Sequence, residues 1–207
     1  MKKERLTQAD RTGLSDRRML DAATDLILEK GILHTSLTEV GEAAGYSRGL
    51  AQARFGSKDQ LLERLLKRSY KQWLKRLLRY VSGKTGLHAF AACIDALESA
   101  MLDNSKWYRM ITILWYHSIV QQSTLKSKSQ EYQAYLIIDV IRWMEEGKND
   151  SEIVKNLDSQ DIAIRHLSFI FGILYMWILN PNVVSIKKNF ASYKEKILHE
   201  ISALSHS

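Results

Sequence analysis

Apolar residues recur every three to four positions through most of the chain, which sets them on one face of an α-helix and does not suit a strand. The first such stripe is Met19, Ala22, Ala23, Leu26 and Ile27. It lies between Ser15, suited to an N-cap, and Gly31, suited to the left-handed position after a helix, so a helix is expected over 15–30. Ser36-Leu37-Thr38-Glu39 has the capping-box pattern, in which a hydroxyl and a carboxylate three residues apart each satisfy the other's backbone N–H. A second helix is therefore expected from Leu37 to just before Gly45. The turn Gly45-Tyr46-Ser47 leads into a short third helix over 48–55, with Ser47 as its expected cap and Gly56 as its stop. Ser57-Lys58-Asp59-Gln60 is a second capping box, opening a long fourth helix to about Val81 whose apolar face reads Leu62, Leu66, Ser69, Trp73, Leu77.

Gly83 and Gly86 break the pattern, and further helices are expected near 86–103, 105–121, 127–147, 159–180 and 187–205. Asn180-Pro181 ends the eighth, because proline cannot continue the hydrogen-bond ladder. One proline and ten glycines in 207 residues are too few for a sheet protein full of tight turns, so the predicted class is all-α with about nine helices. The most apolar run, Leu167 to Leu179, is interrupted only by Ser168 and Gly172. It falls short of the ~20 residues that a bilayer span needs, so it is expected to be buried against protein rather than in a membrane. The basic N-terminus has no apolar stretch behind it and does not read as a signal peptide. A single cysteine, Cys93, excludes a disulfide framework and fits a reducing, cytoplasmic setting.

Charge changes the picture more than length does. The net charge is +7, and residues 1–82 hold 17 Lys+Arg against 10 Asp+Glu, whereas residues 83–207 hold 13 of each. All the excess lies in the first two-fifths of the chain, as if that part met an anionic partner, nucleic acid or an acidic membrane surface. The aromatics run the other way: 11 of the 19 Phe, Trp and Tyr lie between Trp107 and Trp177. No histidine pair has the spacing of a helical metal site, and there is no Gly-rich phosphate loop or nucleophile-elbow pattern. Neither a metal, a cofactor nor an enzymatic activity is expected.

Two short helices joined by a three-residue turn that starts with glycine, in a basic region, have the layout of a helix-turn-helix over residues 36–55. An eight-residue second helix is about 12 Å long and suits a major groove ~12 Å wide. The small residues Ala43, Ala44, Gly49 and Ala51 are expected where the two helices cross. Arg48, Gln52 and Arg54 offer side chains that pair with guanine, adenine, and guanine or phosphate.

Ala44-Gly45-x-Ser47-x-Gly49, followed by Phe55-x-x-Lys58-x-x-Leu61, resembles the DNA-binding region of the TetR (tetracycline repressor)/AcrR-type family of transcriptional regulators. The likeness extends over about 15–66. It implies a DNA-binding domain over 15–66 and a helical effector-binding and dimerisation domain over 67–207; ahead of them the basic stretch over 1–14 is expected to be a flexible arm, the default for a chain end. The resemblance implies that Ser36 begins the first helix of the motif and that Thr38 lies near the phosphate backbone. By the same resemblance Ser47, Arg48, Gly49 and Leu50 match the start of the recognition helix, and Lys58 the family's phosphate-binding lysine. Gln52, Ala53 and Arg54 stand where the family usually has Tyr-Tyr-His, a departure that removes the aromatic contacts to sugar and phosphate and leaves base preference open.

The resemblance further implies a homodimer on a double-stranded operator and a small apolar or aromatic effector, in a bacterial cytoplasmic protein. Effector candidates in the aromatic-rich segment are Ile94, Leu97, Met101, Tyr108, Ile111, Trp115, Tyr116, Tyr135, Ile138 and Trp143, which equally suit an ordinary helical core. The eighth helix is apolar all round, and the ninth repeats Phe190, Tyr193, Ile197, Ile201, Leu204 close to a seven-residue seam. Together with Leu167, Phe171, Leu174 and Tyr175 these residues are the expected dimer interface. The alternative is a helical dimer whose basic end meets a protein or an acidic membrane rather than specific DNA.

Overall fold

The computed structural model describes residues 7–103, 105–120 and 124–203. Among them are nine helices: α1 (Gln8–Lys30), α2 (Leu37–Ala43), α3 (Arg48–Phe55), α4 (Lys58–Val81), α5 (Gly86–Asp103), α6 (Ser105–Val120), α7 (Thr124–Asn149), α8 (Ser159–Leu179) and α9 (Ile186–Ile201). The all-α class and the order of elements are as the periodicity predicts. The start of α1 is not. Thr7 and Asp10 form a capping box, with the Asp10 N–H donating to Thr7 Oγ1 at 3.2 Å and the Thr7 N–H to the carboxylate at 3.0 Å, so the helix begins at Gln8. Ser15 is buried inside it, its hydroxyl donating to the Thr12 carbonyl at 2.8 Å. The arm expected over 1–14 is thus helical from residue 8, and residues 1–6 lie outside the described residues.

The chain divides into two compact units, one of residues 1–68 with 113–128, the other of 69–112 with 129–207. In the first, Met19, Ala23 and Ile27 of α1, Val40 of α2, Ala51 and Phe55 of α3, and Leu61, Leu62, Leu65 and Leu66 of α4 are buried. Burial of these side chains, each worth roughly 1.5–3 kcal/mol except the alanines, sets α1 and the two short helices α2 and α3 on the start of α4.

The second unit packs α5 and α8 against α9. The N-terminus of α5 meets the α7–α8 connection. There the Gly86 N–H donates to Glu146 at 3.2 Å and the Leu87 N–H to Glu152 at 3.1 Å, satisfying donors that a helix start leaves open. Backbones come so close here that a Cβ on Gly86 would lie 2.9 Å from Gly147 Cα. An isolated antiparallel bridge, Ile153 with Ser202, ties the same connection to the end of α9.

The seam expected on α9 faces inward. Phe190, Ile197 and Ile201 are buried and Tyr193 is half-buried; Leu204 lies outside the described residues. Its seven-residue spacing is the core stripe of an amphipathic helix, for which α5 and α8 supply the cover. On α8, Leu167 and Leu174 are buried too and Phe171 is half-buried, whereas Ile164, Tyr175, Met176 and Leu179 are exposed. Helix α8 is also longer than the apolar run suggests: at 21 residues it is long and apolar enough, by length and composition, to cross a bilayer. Its first half carries charge that is paired within the unit, Arg165 to Glu200 at 2.6 Å and to Asp161 at 2.8 Å.

Candidate nucleic-acid interface

The helix-turn-helix is built from its caps and its glycines. Ser36 Oγ accepts from the Glu39 N–H at 3.3 Å while the Glu39 carboxylate accepts from the Ser36 N–H at 2.9 Å, the expected box. Lys30 at the end of α1 also donates to Glu39. That bond above all, with those from Ser36, holds the Glu39 pKa down at about 2. The turn after α2 closes through Gly45, at φ +80°, a left-handed conformation that costs glycine nothing.

Helices α2 and α3 cross at Gly41, where a Cβ would lie 2.9 Å from the Ser47 carbonyl and 3.6 Å from Ala51 Cβ. The expectation of Ala43 and Gly49 at the crossing is corrected: both are exposed, and a Cβ on Gly49 would meet nothing within 4 Å. Ala51 faces Gly41, and Gly49, two residues earlier and so about 200° around α3, points away.

The outward side of α3 presents Arg48, Gly49, Gln52 and Ala53, all exposed, beside the exposed Ser47 and the half-buried Leu50. Ser47 sits at the N-cap position but makes no side-chain cap bond, contrary to the expectation, so its hydroxyl is left for another partner. Thr38 is exposed on α2. Arg48 donates from Nε to Glu42 at 2.5 Å, and Gln52 donates from its amide to the Gly56 carbonyl. Lys58 Nζ donates to the carbonyls of Ile32 at 2.9 Å and Leu33 at 3.1 Å, which leaves one of its three N–H donors. The lysine expected on a phosphate therefore also holds the α1–α2 turn.

Arg54 does not join this surface. It turns back to α1, donating to Thr12 Oγ1 at 3.1 Å and lying 3.8 Å from Asp16, which Arg64 also approaches at 3.7 Å. Position 54 is three residues from Ala51 and one from Phe55, both buried, so its side chain leaves α3 beside the core. Asp16 as a shared partner, Glu42 and Gly41 had no motif to announce them. The Thr7-x-x-Asp10 box was legible as a pattern but lies ahead of the apolar stripe.

The effector candidates are not gathered at one place. Ile94, Leu97, Met101 and Trp143 are buried in the second unit, with Tyr108 and Ile111 half-buried there. Trp115 and Tyr116 belong to the first unit, and Tyr116, Tyr135 and Ile138 are exposed. Tyr135 instead joins a surface cluster in which Tyr70 and Tyr132 stack at 4.2 Å, and burial pushes the Tyr70 pKa up to about 12. Two buried polar atoms of the second unit, Trp73 Nε1 and Ser129 Oγ, have no hydrogen-bond partner. A surface groove of about 450 Å³ in the same unit is lined by Lys84, Thr85, His88 and Asp95, none of them a candidate.

Comparison with known proteins bears on both units. A family model described as "Bacterial regulatory proteins, tetR family" matches residues 19–65, the segment from the α1 stripe to the start of α4. No curated relative matches the chain in sequence. Among solved structures, a TetR transcriptional regulator from Chloroflexus aurantiacus J-10-FL superimposes with a TM-score of 0.80 at 14% identity, over 93% of this chain and 98% of that one. SmeT in complex with triclosan gives 0.75 at 16% identity over 91% of each chain. Native NalD, described as the secondary repressor of the MexAB-OprM multidrug efflux pump in Pseudomonas aeruginosa, gives 0.73 at 20% identity over 92% of this chain and 98% of that one. Such low identities speak to fold, and the matched segment speaks to the helix-turn-helix. Residues 19–65 thus match the DNA-binding domain of the tetR family of bacterial regulatory proteins, and the chain as a whole is similar in fold to TetR regulators.

Proposed function

We propose that the protein is a dimeric repressor whose α3 enters the major groove of a roughly palindromic operator, and that a small apolar or aromatic molecule releases it. The observation that carries the reading is the outward face of α3. Arg48, Gly49, Gln52 and Ala53 are exposed together on a helix anchored from behind by buried Ala51 and Phe55. Arginine and glutamine pair with base edges, and the bare Gly49 and short Ala53 let the helix approach them closely. Ser36, Thr38, Ser47 and the remaining donor of Lys58 are assigned to phosphates, which set register without reading sequence.

Dimerisation is assigned to the outward side of α8, with Phe171, Tyr175, Met176 and Leu179 at its centre, since a contiguous apolar face of this kind calls for cover. A two-fold dimer then offers two recognition helices to half-sites about 34 Å apart. Support for repression and release comes from the similar structures, described as repressors of efflux pumps and, for SmeT, as bound to triclosan. Trp73 Nε1 and Ser129 Oγ are the groups assigned to orient an effector inside the second unit. Release requires that the effector favour one of two arrangements, because equal affinity for both shifts nothing.

Selection of bound fragments from random duplex DNA at near-physiological salt tests the reading. The expected result is an enriched motif with two-fold symmetry, followed by displacement of the operator by apolar aromatic compounds. Failure to enrich any motif, together with tight binding to acidic vesicles, overturns it in favour of an interaction protein that uses its basic end on a membrane.

A further inference from the structure

We propose that Glu42 determines specificity by deciding what Arg48 is free to bind; the inference rests on the DNA-binding reading of α3. Glu42 stands near the end of α2 and Arg48 begins α3, so the pair spans the turn between them. That turn is fixed by its backbone: the Gly45 N–H donates to the Glu42 carbonyl at 2.9 Å and the Tyr46 N–H to the Gly41 carbonyl at 2.9 Å. Glu42 is therefore held in place relative to the first turn of α3. Arg48 is 81% exposed and gives its Nε to Glu42 Oε1, which leaves the two Nη groups for a partner outside the protein.

An arginine facing duplex DNA has two kinds of acceptor. Phosphate oxygens are charged and attract it whatever the sequence; base edges are neutral and differ from pair to pair. A guanidinium grips a phosphate well through the edge that carries Nε, and Glu42 occupies that edge. Its carboxylate also repels any phosphate brought against the same group. The end that carries both Nη groups stays open, and it matches the O6 and N7 acceptors of guanine, which bear no net charge. Glu42 thus steers Arg48 from backbone to base. The device costs affinity, since a carboxylate is set at an anionic partner, and it gains discrimination by penalising the wrong contact. An exposed pair of this kind adds little to folding stability, so it can be removed without unfolding the domain.

The test measures an operator, selected by the wild-type protein from random duplex DNA, against a scrambled duplex for wild type, E42A, R48A and E42A/R48A. E42A is expected to raise affinity for the scrambled duplex and lower the operator-to-scrambled ratio about tenfold. It should flatten the preference at one base pair per half-site and steepen the salt dependence by about one phosphate per protomer. In the R48A background those changes vanish, the mark of a coupled pair. E42Q, which keeps the volume and removes the charge, moves the ratio in the same direction and stands in if E42A does not fold. The proposal is overturned if E42A changes both affinities by the same factor, or if its effect persists without Arg48. A wild-type protein that selects no operator overturns the DNA-binding reading itself, and this inference with it.

Discussion

Both units carry ion pairs near their surfaces, as Arg165 with Glu200 shows in the second, but they differ in the ionisable side chains they bury. In the first the pairs are Lys30 with Glu39, Arg48 with Glu42, Arg68 with Asp21, and Arg54 and Arg64 both beside Asp16. The second also buries several ionisable groups that carry no charge at neutral pH. His166 is buried with its Nδ1 2.9 Å from the Tyr193 hydroxyl, Phe90 meets it edge-on at 5.1 Å, and Phe169 stacks on Tyr193 at 3.9 Å. Cys93 is buried, and burial pushes its thiol pKa up. A surface that meets a polyanion needs charge it can redirect at small cost, whereas a packed body cannot host an unpaired charge without a large desolvation penalty.

The strongest way to break this contrast is to charge the body's outer face. Leu179→Glu or Met176→Glu on α8, both exposed in the single chain, leaves folding nearly unchanged but places carboxylates in the assigned dimer contact. Dimerisation is expected to weaken by about 2 kcal/mol or more, as at an interface hot spot, with operator affinity falling accordingly. Sedimentation of wild type and variant checks the oligomeric state directly. Equal dimer content in both would remove α8 from the interface.

Acid should separate the body from the helix-turn-helix. Burial lowers the His166 pKa from 6.5 to about 4 in the folded chain, so between those pH values the unfolded chain binds the proton first. Stability is full above pH 6.5 and declines as pH falls toward 4, by about 3 kcal/mol in all. Glu39, with its pKa near 2, contributes stability that is present above 4.5 and lost only as pH falls through 2. Urea unfolding followed by tryptophan fluorescence, at pH 7 and pH 4.5, is expected to show the loss, and His166→Leu to abolish it. A pH-independent midpoint in the wild type would mean that His166 is not held neutral by its surroundings.

Glycine substitutions sharpen the reading of the first unit. Gly41→Val forces side-chain atoms against the Ser47 carbonyl and is expected to cost about 2 kcal/mol and to end DNA binding. Gly49→Ala meets nothing and should gain roughly 0.5 kcal/mol from helix propensity. Thermal melts of the two variants give opposite signs if the crossing is at 41 and the open face at 49.

What could be read in the sequence follows the range of the forces involved. The capping box at Ser36, the glycine turn and the ends of α2 and α3 are local events, and the chain spells them out; the box at Ser57 forms by half, its Oγ accepting from the Gln60 N–H at 3.2 Å while its own N–H donates to the Phe55 carbonyl at 2.8 Å. The direction in which a side chain leaves a helix depends on what lies across from it. Phe190, Ile197 and Ile201 have a seam's spacing whether the seam is covered by α5 of the same chain or by a second copy, and periodicity cannot tell the two apart. Partners distant in sequence are equally invisible: nothing near Arg54 points to Asp16, 38 residues earlier, or near Lys58 to the carbonyls of Ile32 and Leu33.

Arg54 therefore gives the finest test, because the motif and the structure assign it different work. If it read DNA, Arg54→Ala would relax base preference at one operator position while leaving the melting temperature alone. Its side chain instead donates to Thr12 and lies beside Asp16, half-buried between α3 and α1. Removing it leaves Asp16 with Arg64 alone and the Thr12 hydroxyl without its donor, at an expected cost of about 1 kcal/mol. Operator preference should be unchanged at every position, with affinity reduced only as far as the domain is loosened. Gln52→Ala, on the outward face two residues earlier, should do the reverse and relax preference at one base pair with little change in melting. Paired melts and operator-variant binding for these two substitutions decide whether α3 divides its polar residues between holding the domain and reading the groove.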